Sequence, residues 1–172
     1  LKDGIAFNIN ACHFSPKTLV CKGAKAEGCL SAEQAAALDK AFAGPKDPRG
    51  HQVYPGFLYD TGIAATQGIP GLLHGGMTTD GPPFAATTMD VDARAAASAP
   101  DPEEALMATS RWTNLNTFSN HGGKIMFFHG VSDPWFSALD TIDYYERITK
   151  ANGGSSAVSA WGRLYLLPGM GH

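Results

Sequence analysis

"KIMFFHGVSDPWFSALDTIDYYERI", Lys124 to Ile148, carries two periodicities in 25 residues. Its start, "KIMFFHG", is a continuous apolar run of strand length, the form expected of a strand buried on both faces in a parallel sheet. From there Leu139, Ile142, Tyr145 and Ile148 recur at helical spacing, and Gly153-Gly154 stop that helix. A second strand pattern follows in "WGRLYLL", Trp161 to Leu167, and it runs directly into "PGMGH". Strand, helix, strand in fewer than 50 residues predicts a βαβ unit, which joins parallel neighbours by a right-handed crossover.

That topology points to chemistry. In open α/β sheets the functional loops lie beyond the carboxyl ends of the strands. Asp133 lies three residues past the first strand and His172 four past Pro168. If the strands are neighbours, their ends lie about 4.8 Å apart, so the two side chains can meet across 39 residues of sequence. A carboxylate bonded to one imidazole nitrogen fixes the tautomer and leaves the other nitrogen as a general base. The order acid then histidine is that of α/β-hydrolase triads. The bland reading is that Asp-Pro is a turn signal and the final Gly-His only a point of cutting. No G-x-S-x-G nucleophile elbow is present; Ser132 lies on the acid loop itself, and Ser155 and Ser156 follow a helix end.

The rest of the chain is of another character. Between Gly44 and Phe84 lie nine glycines and six prolines, too dense for long regular elements. One helix stands out in "SAEQAAALDKAFAGP": Ser31 and Gln34 form a capping box, Leu38 and Phe42 recur four apart, and Gly44-Pro45 end it. Asp92 to Glu104 reads as an exposed connector or weak helix. The division expected is therefore 1–115, loop-rich and inserted, and 116–172, the α/β part. Cys21 and Cys29, eight apart, suit a small disulfide loop in an oxidising compartment, against the alternative of three free thiols that include Cys12. A net charge of −3 without a Lys/Arg cluster argues against nucleic acid and anionic membrane as partners. No run approaches the roughly 18 apolar residues of a membrane span. Without an initiator Met the chain opens in mid-pattern, as a piece of something longer would.

"DGIAFNINACHFSPKTLVC", "GCLSAEQ", the segment from Trp112 to Ile148 and "GRLYLLPGMGH" together resemble the tannase and feruloyl esterase family of α/β-hydrolases, which includes the mono(hydroxyethyl) terephthalate hydrolases. The resemblance implies a partial α/β-hydrolase fold, the C-terminal βαβ of the parallel sheet, with a loop-rich, disulfide-containing lid, N-terminally truncated, over 1–115. It makes Asp133 the triad acid and His172 the base, and it sets His129 and Phe136 at the acyl pocket. The family's nucleophilic serine lies in a Cys-Ser-x-Gly-Gly elbow upstream. A structural calcium loop is implied too, of which this chain keeps Leu1 (carbonyl), Asp3 (carboxylate) and Ile5 (carbonyl), three of the six to eight oxygens calcium takes. Cys21–Cys29 corresponds to a lid disulfide.

The expected function is that of a secreted or periplasmic serine carboxylic-ester hydrolase for small aromatic acid esters, feruloyl, galloyl or terephthaloyl. Its missing N-terminal part would be this chain's partner, and the isolated chain would be inactive. Phe57, Tyr59, Phe84 and Trp112 are candidates for gripping the aromatic ring, each equally open to being lid core. Two alternatives stand beside this reading: a non-catalytic disulfide-stabilised interaction module, and half of a proteolytically split enzyme.

Overall fold

The computed structural model describes residues 4–59, 90, 92–93, 96, 100–108 and 111–172. Its regular elements are helix α1 (Ala32–Phe42), strand β1 (Ile125–Gly130), helix α2 (Ala138–Ala151) and strand β2 (Gly162–Leu167), with shorter helical turns between them. The chain forms two compact units, one of Leu1–Thr61, Phe128–Thr141 and Tyr165–His172, the other of Gly62–Phe127 and Ile142–Leu164.

β1 and β2 are hydrogen-bonded neighbours. The Ile125 N–H donates to the Trp161 carbonyl at 2.8 Å and the Val131 N–H to the Leu167 carbonyl at 3.0 Å. Both partners advance along the chain together, so the strands are parallel and α2 is the crossover of a βαβ unit. The apolar run of β1 predicts burial on both faces, but Met126 and Phe128 are each more than 60% exposed. In this two-stranded sheet Ile125, Phe127 and His129 on one face are half-buried, whereas on the other face only Gly130, at the strand end, is covered.

In the first unit α1 begins as its capping box dictates. The Ser31 hydroxyl accepts from the Gln34 N–H at 3.1 Å, and the Gln34 side chain accepts from the Ser31 N–H at 2.9 Å. Ala35 and Phe42 are buried, whereas Leu38 is exposed. After α1 the chain doubles back so tightly that the Phe57 N–H reaches the Phe42 carbonyl at 2.8 Å. Gly56 permits this, because a Cβ there would lie 2.3 Å from that same carbonyl oxygen. Tyr59 then stacks on Phe42 with centroids 4.5 Å apart, and its hydroxyl donates to Asp39 at 2.7 Å. Cys21 and Cys29 form the expected disulfide beside the Val20–Leu30 bridge, and Cys12 is free. A loop-rich region thus holds its shape through turns, one cross-link and an aromatic cluster.

In the second unit the fully buried Ile148 and Val158 form the centre. Asn152, buried at the end of α2, donates to the Thr113 and Ile148 carbonyls at 2.7 Å each and accepts from the Leu115 N–H at 2.8 Å. One side chain thereby serves both a helix end and the segment that leads into the short helix Asn116–Asn120. Phe127 meets Tyr144 and Tyr145 edge-on at 6.1 and 5.9 Å. Pro102–Met107 is a short helix that begins within Asp92 to Glu104, the stretch read as an exposed connector or weak helix, and runs three residues past it.

Replacing Asn152 by Ala leaves the Leu115 N–H and the Thr113 carbonyl without their partner. Chemical denaturation should show a loss of about 2 to 4 kcal/mol. A change below about 0.5 kcal/mol would mean that water replaces the side chain without cost.

Candidate active site

Past β1 the chain turns at Asp133, whose N–H donates to the Gly130 carbonyl at 3.1 Å. The Asp133 carboxylate is buried and fully engaged. Its Oδ1 accepts from the Trp135 N–H at 2.8 Å and the Phe136 N–H at 3.1 Å. Pro134, with no N–H, fits the first position of this cap. Its Oδ2 lies 3.1 Å from Nδ1 of His172. A carboxylate only accepts, so Nδ1 carries the hydrogen and Nε2 is left with a free lone pair. Burial alone would raise the Asp133 pKa. The two backbone N–H groups and His172 outweigh it and hold the carboxyl below its ordinary range.

The histidine arrives from the other strand. Beyond β2 the Met170 carbonyl accepts from the Ser132 N–H at 3.0 Å, which extends the strand pairing to the rim. Gly130 makes room for this approach, since a Cβ there would lie 2.4 Å from the Met170 carbonyl oxygen and 2.6 Å from that of Gly171. The His172 ring also lies against Trp135, centroids 4.3 Å apart, and more loosely against Phe136 at 5.5 Å.

A cleft of about 430 Å³ opens here, lined among others by His129, Asp133, Phe136, Met170 and His172. His129 has both ring nitrogens committed inside the protein. Its Nε2 lies 3.0 Å from the Phe136 carbonyl and its Nδ1 2.6 Å from the Thr141 hydroxyl. A carbonyl only accepts, so Nε2 carries the hydrogen and Thr141 donates to Nδ1. The same Nε2 is 3.8 Å from Oδ2 of Asp133. The acid loop is tied on its other side as well, where the Ser137 N–H donates to the Tyr54 hydroxyl at 2.9 Å and the Ser137 hydroxyl donates to the Gly56 carbonyl. Burial, with Asp140 and Asp133 nearby, keeps the Tyr54 hydroxyl above its usual range despite the Ser137 N–H.

The residues named from sequence are therefore distributed as follows. Asp133, His172, His129 and Phe136 share one cleft. Leu1, Asp3 and Phe84 lie outside the described residues, and Ile5 packs its side chain toward Gly169. Tyr59 belongs to the cluster on α1, and the Trp112 indole donates to the Leu106 carbonyl at 3.0 Å. Sequence reasoning passed over Trp135, Ser137, Tyr54 and Gly130. Only Gly130 left a local signal, a glycine closing an apolar strand run.

The model of the family described as "Tannase and feruloyl esterase" matches residues 73–172. The chain belongs to the tannase and feruloyl esterase family. It is 31% identical to a mono(2-hydroxyethyl) terephthalate hydrolase of Piscinibacter sakaiensis, across 100% of this chain and 36% of that protein. It is 29% identical to a probable feruloyl esterase B-2 of Aspergillus terreus, across 99% of this chain and 34% of that one. The crystal structure of feruloyl esterase B from Aspergillus oryzae superposes with a TM-score of 0.73 at 22% identity, covering 99% of this chain and 36% of that one. The fold is a partial α/β-hydrolase fold, and the chain spans about a third of the length of the relatives it matches.

The depressed Asp133 pKa makes a prediction of definite sign. A carboxyl titrating lower in the folded state than its unfolded value of about 3.9 stabilises the fold fully above that value, and the contribution fades as the pH falls through the folded pKa. Asp133→Asn should therefore cost more stability near pH 7 than near pH 2. Denaturation midpoints of both proteins at the two pH values measure this, and an equal cost at both would remove the carboxylate's charge from the account.

Proposed function

We propose that this chain is the lid, over 1–115, and the C-terminal catalytic segment, over 116–172, of a serine carboxylic-ester hydrolase acting on aromatic acid esters of the feruloyl, galloyl or terephthaloyl type. The observation that carries the reading is the bond from Asp133 Oδ2 to His172 Nδ1, at 3.1 Å, with Nε2 of His172 left free for a proton. Family membership and the names of the relatives supply the reaction class.

The nucleophilic serine comes from the remainder of the enzyme. His172 Nε2 takes the serine proton as the hydroxyl attacks the ester carbonyl, and Asp133 stabilises the imidazolium without itself taking a proton. The imidazolium then gives that proton to the departing alcohol and leaves an acyl-enzyme. Water, deprotonated by the same nitrogen, attacks the acyl carbon, and the imidazolium returns that proton to the serine oxygen as the aromatic acid is released. Phe136 and Met170 offer an apolar wall to the aromatic ring. His129 sides the same cleft, with its ring nitrogens bonded to the Phe136 carbonyl of the acid loop and to the Thr141 hydroxyl on α2.

Calcium would be a structural ion in this reading, and the carbonyls of Leu1 and Ile5 and the carboxylate of Asp3 would be among its ligands. These hard oxygens suit Ca²⁺ in kind, and the rest of the enzyme has to supply at least three more. The disulfide supports a secreted or periplasmic location.

In the enzyme that carries this chain, Asp133→Asn and His172→Ala should each lower kcat on a methyl hydroxycinnamate roughly a thousand-fold or more, with the circular dichroism spectrum unchanged. Turnover near the wild-type level in either variant removes that residue from the mechanism. The 172-residue chain alone should not hydrolyse a nitrophenyl ester. Clear hydrolysis by it would reveal a nucleophile within these residues.

A further inference from the structure

We infer that Trp135 is the positioning residue of the acid–base pair, holding the acid with its backbone and the base with its indole. The inference rests on the reading of His172 as the general base and adds a residue to it.

The bond to Asp133 fixes one atom of the His172 ring and leaves the ring free to swing about that contact. The imidazole is also about half exposed, with a side-chain exposure of 46%. What limits its swing is the indole of Trp135, at 4.3 Å between centroids and tilted by 31°. Phe136, at 5.5 Å and 47°, is the looser neighbour. A tilted stack this close covers one face of the imidazole and leaves its edge, with Nε2, open. It also acts differently on the two charge states. The π face of an indole carries negative potential, so it attracts the imidazolium that forms as the serine is deprotonated more strongly than it attracts the neutral ring.

The two contributions of Trp135 are separable. Its N–H, 2.8 Å from Asp133 Oδ1, survives any replacement other than proline. Trp135 is 40% exposed, so removal of its side chain opens no enclosed interior cavity. A side-chain variant thus leaves the acid held and frees the base.

Trp135→Leu keeps apolar bulk and removes the π face, whereas Trp135→Phe keeps a smaller one. In histidine-labelled protein the carbon-bound ring protons of His172 should lie upfield under the indole ring current and move back downfield in Trp135→Leu. On a methyl hydroxycinnamate, Trp135→Leu should lower kcat about ten-fold and change KM less than about three-fold, and Trp135→Phe should recover most of the loss. Three results overturn the inference: His172 ring shifts that Trp135→Leu does not move, an unchanged kcat, or a KM that rises while kcat holds, which would make the indole a substrate contact. Asp133→Asn run in parallel separates the two claims. If it loses activity and Trp135→Leu does not, only the role of Trp135 fails. If Asp133→Asn keeps full activity, the reading of the site fails first.

Discussion

The parallel register at the ends of β1 and β2 is the constraint on which the site depends. The Val131 N–H pairs with the Leu167 carbonyl, and the Ser132 N–H goes on to pair with the Met170 carbonyl beyond the strand proper. Each residue of that pairing carries the histidine segment further along the acid loop, until Asp133 and His172 stand side by side. A slip of one residue would turn alternate side chains to opposite faces and separate the pair. Gly130 is the steric condition of the register, since any larger residue there meets the carbonyls of Met170 and Gly171.

Around that register the acid loop is held from three directions. Its own N–H groups, from Trp135 and Phe136, cap the carboxylate. His129 and Thr141 brace the loop from the end of β1 and the first turn of α2 through the Phe136 carbonyl. Tyr54 and Gly56 brace it from the loop-rich segment through Ser137. A buried carboxylate is costly unless every lone pair is used, and here the bonds that satisfy it also fix its direction. Stability and the geometry of the Asp133–His172 pair therefore draw on the same few contacts.

What the sequence made legible followed from local rules. The capping box at Ser31 and Gln34 is a four-residue signal, and the structure has both of its bonds. The βαβ order brings Asp133 and His172 to one rim because parallel neighbours end together. Cys21 and Cys29, eight apart in sequence, were readable as a small disulfide loop. The contacts that escaped reading are those whose partners are remote in sequence. Ser137 and Gly56 are 81 residues apart, and neither carries a mark of the other. Met126 and Phe128 show the opposite failure, since an apolar run indicates which residues favour burial but not whether this chain has the elements that cover them. Leu38 and Phe42 share a face of α1 by their four-residue spacing, yet only Phe42 is buried, because spacing does not fix how far along the helix the cover extends.

The central claim is that the fold commits Nδ1 of His172 to Asp133 and frees Nε2. Nitrogen-15 chemical shifts of the His172 ring measure this directly at a pH where the imidazole is neutral. The account predicts a protonated, pyrrole-type Nδ1 and an unprotonated, pyridine-type Nε2, with Asp133→Asn disturbing that pattern. A pyridine-type Nδ1 with the hydrogen on Nε2 would contradict it.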